Sequence, residues 1–216
     1  MSQTDSFIEE VTEEVRRDRL FAMIKKWGWV AILVVLMIVG GAAYNEYRKS
    51  AIKAEAEGFG DVLLAGIDAN DAGATLATVP TSNPQQAAIA GHLAAADALA
   101  AQKTDVGMDT LDKVVGTEGV PAVYAELAKL KRALALPPET PVEERRAAFE
   151  ALAAPGAPFQ PLAEEQLALI AAETGKPEEA VAILQGLLDS AKITPGLQRR
   201  AAELIVALGG ELADTQ

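Results

Sequence analysis

From Trp27 to Tyr44 the chain reads WGWVAILVVLMIVGGAAY, 18 residues without one Asp, Glu, Lys, Arg or His. As a helix this stretch is about 27 Å long at roughly 1.5 Å per residue, and a bilayer takes roughly 17–25 such residues to cross. A helix apolar on every side, next to a region of amphipathic ones, is out of place in a small soluble core. The pattern therefore predicts a membrane span over residues 27–44. Trp27 and Trp29 stand at one end, Tyr44 and Tyr47 at the other, where amphipathic rings favour the headgroup zone. Arg16, Arg17, Arg19, Lys25 and Lys26 precede the span, and Arg48, Lys49 and Lys53 follow it. This excess of bases before the span predicts a cytoplasmic N-terminus. Gly41, Ala42 and Ala43 offer small residues a signal peptidase would accept, so cleavage after Ala43 is the rival reading. The 26 residues ahead of the span, many of them acidic, are unlike a short basic leader, and an uncleaved signal anchor is expected.

The remaining pattern is helical almost throughout. In the cytoplasmic tail, residues 1–26, Phe7, Val11, Val15 and Leu20 recur among charges, as in a short amphipathic helix near the membrane face or a partly ordered tail. Residues 45–82 read as a connecting helical segment. Tyr44, Ile52, Phe59, Leu63, Leu64 and Ile67 continue the helix, Gly58 and Gly60 weaken it, and residues 68–71 end it. A short helix over 72–79 stops at Pro80. Residues 83–210 then form a series of helix pairs: 84–101 with 108–115, 121–136 with 141–154, and 161–173 with 177–190. A last helix over 197–208 closes the series, and 211–216 is a frayed tail. Asn83 is the expected N-cap of the first of these helices, and Thr140, with Glu143 three residues on, that of 141–154.

A repeat underlies the pairs. With Pro161 as position one of a unit of roughly 34 residues, Ala168 falls at eight, Gly175 at fifteen, Ala180 at twenty, Leu184 at twenty-four and Leu187 at twenty-seven. This is tetratricopeptide spacing, in which small residues at eight and twenty let paired helices approach closely. The same frame from residue 88 puts Ala95 at eight, Gly107 at twenty, Leu111 at twenty-four and Val114 at twenty-seven. Started at Pro121, it puts Ala128 at eight. Glu164 and Ala171 replace the usual aromatic residues, and Pro137 and Pro138 break the second copy. The expected fold class is all-α, with one N-terminal transmembrane helix followed by an α-solenoid of degenerate tetratricopeptide-like helix pairs.

Composition narrows the function. Aromatic residues make up 5 % of the chain while Ala and Leu abound, which suits closely packed helices better than a sandwich or barrel. The net charge is −12, and the first 26 residues hold five bases against six acids, so −11 falls after them. Such a surface repels nucleic acid and anionic lipid. The absence of cysteine excludes disulfides and thiolate chemistry and fits an oxidising or a reducing compartment. His92 is the one histidine, so neither a zinc site nor a histidine-activated nucleophile is supported, and packing or a groove position is its expected role. Gly58 and Gly60 lack the preceding strand and third glycine of a nucleotide loop. No catalytic residue, cofactor, metal or small-molecule substrate is expected.

An acidic tail (DSFIEEVTEEVRRDRL), one span (WGWVAILVVLMIVGGAAYNEYRKS) and a degenerate repeat (EEQLALIAAETGKPEEAVAILQGLL) together resemble the ancillary SecYEG translocon subunit family, tetratricopeptide-like proteins of the bacterial inner membrane. The resemblance implies a repeat domain in the periplasm, working beside the translocon with periplasmic chaperones or client polypeptides. In tetratricopeptide arrays the first helix of each pair lines a groove, and the frame assigns to it Ile89, His92, Leu99, Lys129, Arg132, Leu162, Glu165 and Leu169. This mixed set suits weak binding of extended or helical segments. Gly40, Gly41, Ala42 and Ala43 are the candidate helix-contact face in the membrane, or a flexible exit from it. The expected function is a non-enzymatic membrane-anchored adaptor. The alternative is a structural accessory subunit of another inner-membrane complex, respiratory or cell-envelope.

Overall fold

The computed structural model describes residues 3–190 and 193–212. No strand occurs among them. The chain divides into two units, Met1–Gly58 and Phe59–Gln216. The first consists of most of helix α1 (Gln3–Ile67), whose last turns belong to the second. No proline interrupts α1, and the helix runs through Gly58 and Gly60 despite their weak propensity. Its most apolar 18-residue window has a mean hydropathy of 2.0 and none of it is buried. Side chains from Ile32 to Val39 stand exposed on every face, Ile38 at 66 %. By length and composition, α1 can cross a membrane. The amphipathic spacing expected at Phe7, Val11, Val15 and Leu20 falls on a helix, but those side chains lie outside the described ones.

The second unit is built of short helices, each laid against the next. They are α2 (Ala72–Leu76), α3 (Pro84–Ala100), α4 (Thr104–Gly116), α5 (Ala122–Leu134), α6 (Val142–Glu150), α7 (Gln160–Glu173), α8 (Pro177–Leu188) and α9 (Pro195–Ala207). Helix α3 also packs on α5, so alternate helices adjoin there. Local chemistry sets most boundaries. The Asn83 side chain accepts from Gln86 N at 2.9 Å and Pro84 follows at N1, a position that needs no N–H. Asp71 Oδ1 accepts from Ala74 N at 3.3 Å, and Thr194 caps α9 in the same way. Gly175, at φ +75, closes α7, and Lys176 N reaches back to Ala171 O at 2.9 Å.

Several boundaries differ from expectation, most of all those of α4 and α6. Helix α4 begins at Thr104, ahead of the expected 108, because the chain reverses within a single tight turn. Gln102 adopts φ 60 and Lys103 N donates to Ala98 O at 2.8 Å. Thr140 does not cap α6. Its N–H donates to Pro137 O at 3.0 Å, a turn started by the proline pair, and Pro141 takes the N-cap position with no side-chain bond. That helix stops at Glu150, short of 154, where Leu152 N and Ala153 N both turn back to Phe149 O.

The hydrophobic interior is a row of three clusters. Ala88, Ala95, Leu111, Val114 and Ala128 join α3, α4 and α5. Leu130, Ala133, Phe149, Ala163 and Ile170 join α5, α6 and α7, with Leu152 just beyond α6. The third unites α7, α8 and α9 through Ala168, Ala180, Leu184, Leu187, Leu197, Ala201 and Ile205. Helices α5 and α7 feed two clusters each from opposite sides. The small positions of the repeat frame are among the most deeply buried: Ala95, Ala128 and Ala180 are 0 % exposed and Ala168 1 %. A Cβ on Gly107 would meet Leu99 Cγ at 2.6 Å, so glycine there is a requirement of the α3–α4 approach.

Enlarging such a position forces the helices apart. Ala168→Leu and Ala180→Leu are each expected to cost about 1–3 kcal/mol. For a domain of this size that lowers the thermal midpoint by roughly 2–4 °C per kcal/mol, measurable by circular dichroism. Unchanged midpoints in both variants would show that close approach at these positions is not required.

Candidate protein-binding clefts

Where two alternate helices flank a third, their exposed sides leave a shallow cleft. One lies between α7 and α9, about 600 Å³ in volume and lined by Glu165, Gln166, Leu169, Arg200, Glu203, Leu204 and Ala207. A second, about 470 Å³, lies between α3 and α5 with the start of α4 at its edge, lined by Ala96, Leu99, Thr104, Lys131, Leu134 and Ala135. Both walls are mainly apolar. Leu169 is 38 % exposed and Leu134 54 %, side chains the fold leaves partly uncovered.

The buried carboxylate at the α7–α9 cleft is satisfied internally. Glu165, buried at 6 % exposure, accepts two hydrogen bonds from Arg200, Nε to Oε1 at 2.7 Å and Nη2 to Oε2 at 2.9 Å. This two-pronged pair fixes the position of α9 against α7. The hydrogen bonds to Glu165 raise the Arg200 pKa further above its usual range. Two more ion pairs reach across helices nearby, Arg145 to Glu173 at 2.6 Å and Arg146 to Glu179 at 3.1 Å.

The structure separates the eight groove residues. Leu99 lines the α3–α5 cleft, and Glu165 and Leu169 line the α7–α9 cleft. Leu162 is exposed at the start of α7, outside the cleft lining. Ile89 is half-buried on α3. Lys129 pairs with Glu126 on its own helix at 2.7 Å, and Arg132 Nε lies 2.8 Å from Asp112 Oδ1 on α4. His92 is buried, its ring 6.3 Å from that of Tyr124, and its Nε2 lies 3.0 Å from Tyr124 O. Its role is packing and a tie between α3 and α5. On α1, Gly40, Gly41, Ala42 and Ala43 are exposed, with open space where a Cβ on either glycine would sit.

Sequence reasoning passed over Arg200, Leu204 and Ala207 because it took the last helix for a closing element, whereas that helix forms a cleft wall. The usable signal was Arg200, 35 residues beyond Glu165 and so about one repeat ahead. Lys131 and Leu134 were missed because the assumed groove positions do not include their places on α5.

His92 also gives the domain a pH response. Burial first, then the nearby Lys131 charge, lowers its pKa below the usual histidine value, while the bond to Tyr124 O opposes the shift. Nε2–H donates to that carbonyl, so protonation would place a second N–H on Nδ1, which is buried without a partner. The unfolded chain therefore binds this proton more readily than the fold does. The stability linked to His92 is complete above about pH 6.5 and is lost as pH falls towards the lowered folded pKa. Melts between pH 7.5 and 5.5 should show a declining midpoint, with a shallower decline in His92→Gln; equal slopes would exclude His92 as the source. No protein-family model, curated protein sequence or solved structure matches the chain.

Proposed function

We propose that this chain is a non-enzymatic membrane-anchored adaptor, an ancillary subunit of the protein-export translocon. In this reading α1 is a signal anchor in a bacterial inner membrane with its N-terminus in the cytoplasm. The helices after it form a degenerate tetratricopeptide-like solenoid in the periplasm, which holds chaperones or client polypeptides beside the translocon. The observation that carries the adaptor reading is the α7–α9 cleft, where Leu169, Leu204 and Ala207 form an apolar wall held open by the Glu165–Arg200 pair. An apolar trough between rigid helices suits an apolar side-chain row of a bound segment. The serial packing of α3 to α9 and the burial of Ala95, Ala128, Ala168 and Ala180 support the repeat frame. The exposed apolar helix and the base excess before it support the anchor. The translocon as partner rests on the family resemblance.

Photo-crosslinking amino acids at Ile38 and Leu169 in living cells, followed by mass spectrometry, test this directly. Translocon subunits are expected from Ile38, and periplasmic chaperones or unfolded clients from Leu169. Capture of one respiratory or cell-envelope complex from both positions would replace the adaptor with the structural-subunit reading.

A further inference from the structure

The α3–α5 cleft differs from its counterpart in one respect, its charge. Position five of the repeat frame holds Glu165 in the α7–α9 cleft, where the carboxylate meets Arg200. On α3 the same position holds His92, which bonds to Tyr124 O and stands outside the lining of the first cleft. The cation lining the first cleft is Lys131. The other half-buried cations of the domain, Arg132, Arg145 and Arg146, each lie within 3.1 Å of a carboxylate. Lys131 forms no ion pair among the described residues, on a chain whose net charge is −12.

A half-buried ammonium without a counter-charge is destabilising, and burial lowers the Lys131 pKa accordingly. The side chain lies in an apolar setting formed by Leu99 and Ala96 on α3 and Leu134 and Ala135 on α5. Lys131, Leu134 and Ala135 stand at i, i+3 and i+4, so one face of α5 presents a cation and, a turn later, an apolar surface. A ligand matching both needs a carboxylate and a large apolar side chain one helical turn apart.

We infer that the α3–α5 cleft is a docking site for an amphipathic helical segment of a partner protein, presenting a Glu to Lys131 and a Leu to the wall formed by Leu99 and Leu134. This deepens the adaptor reading, on which it rests, by naming the partner chemistry at one cleft. The ligand carboxylate fills the role that Glu165 fills within the chain at the other. Apolar burial supplies the contact area, and the ion pair fixes which turn of the ligand engages.

The test uses the full-length chain in lipid nanodiscs and a labelled, N-acetylated, C-amidated, alanine-rich helical peptide with Glu and Leu four residues apart. Blocked ends remove the terminal carboxylate as a competing source of charge. By fluorescence anisotropy this peptide should bind about tenfold more tightly than its Gln counterpart, the scale of one charge-assisted hydrogen bond. Lys131→Met, which keeps the packing volume, should abolish the difference, and Lys131→Glu should transfer the preference to a Lys-bearing peptide. Should Lys131→Met fail to fold, salt dependence in the unaltered chain provides the same readout, with the Glu advantage shrinking between 50 and 500 mM salt. Equal affinity for the Glu and Gln peptides, or binding of neither, overturns the inference. So does a Glu preference that survives Lys131→Met or is unaffected by salt. The adaptor reading is decided separately, by what Leu169 captures in the other cleft.

Discussion

Close approach of paired helices at small residues is the constraint on which the second unit depends. Helices of 9 to 17 residues bury little area each and are marginal alone. They become stable here by lying near enough for Leu111, Leu184, Leu187 and Ile205 to be wholly enclosed. That enclosure requires Gly107 beneath Leu99, and alanine at 95, 128, 168 and 180. Few aromatic residues are needed, since little space remains between the helices for large rings to fill.

Serial packing has a structural consequence. The interior is a row of clusters, with α5 and α7 each shared between two, and it lacks a single centre. Alternate helices are therefore left with one side uncovered, and the clefts lie along those sides. The clefts are a by-product of how the core is built. The two clefts differ in charge: a carboxylate matched by Arg200 lines one, and a lysine with no ion pair among the described residues lines the other.

Some of this was legible from residues close together in sequence. The apolar helix long enough to cross a membrane needed only composition, because length and the absence of charge are read directly from the chain. Asn83 before Pro84, and Gly175 after α7, act through bonds to residues within five positions, so caps and turns there could be read directly. The small residues at helix contacts emerged from spacing, because Ala95, Ala128, Ala168 and Ala180, chosen on that ground, are buried. Thr140 shows the limit of local reading. Its capping pattern was sound, yet the helix starts one residue later, with Pro141 and not Thr140 at the N-cap position.

The sequence by itself determined an apolar helix of membrane length, an all-helical domain, and which alanines lie at helix contacts, since each follows from short-range periodicity. It did not reveal which groove positions are open. His92, Lys129 and Arg132 had the expected spacing, but a carbonyl on α5, a glutamate on the same helix and an aspartate on α4 engage them. Tertiary structure alone decided that Arg200 meets Glu165 across 35 residues, and that Lys131 faces an apolar cleft without a carboxylate. Charge pairing depends on distances between helices, and a linear pattern fixes the face of each helix without fixing its neighbour.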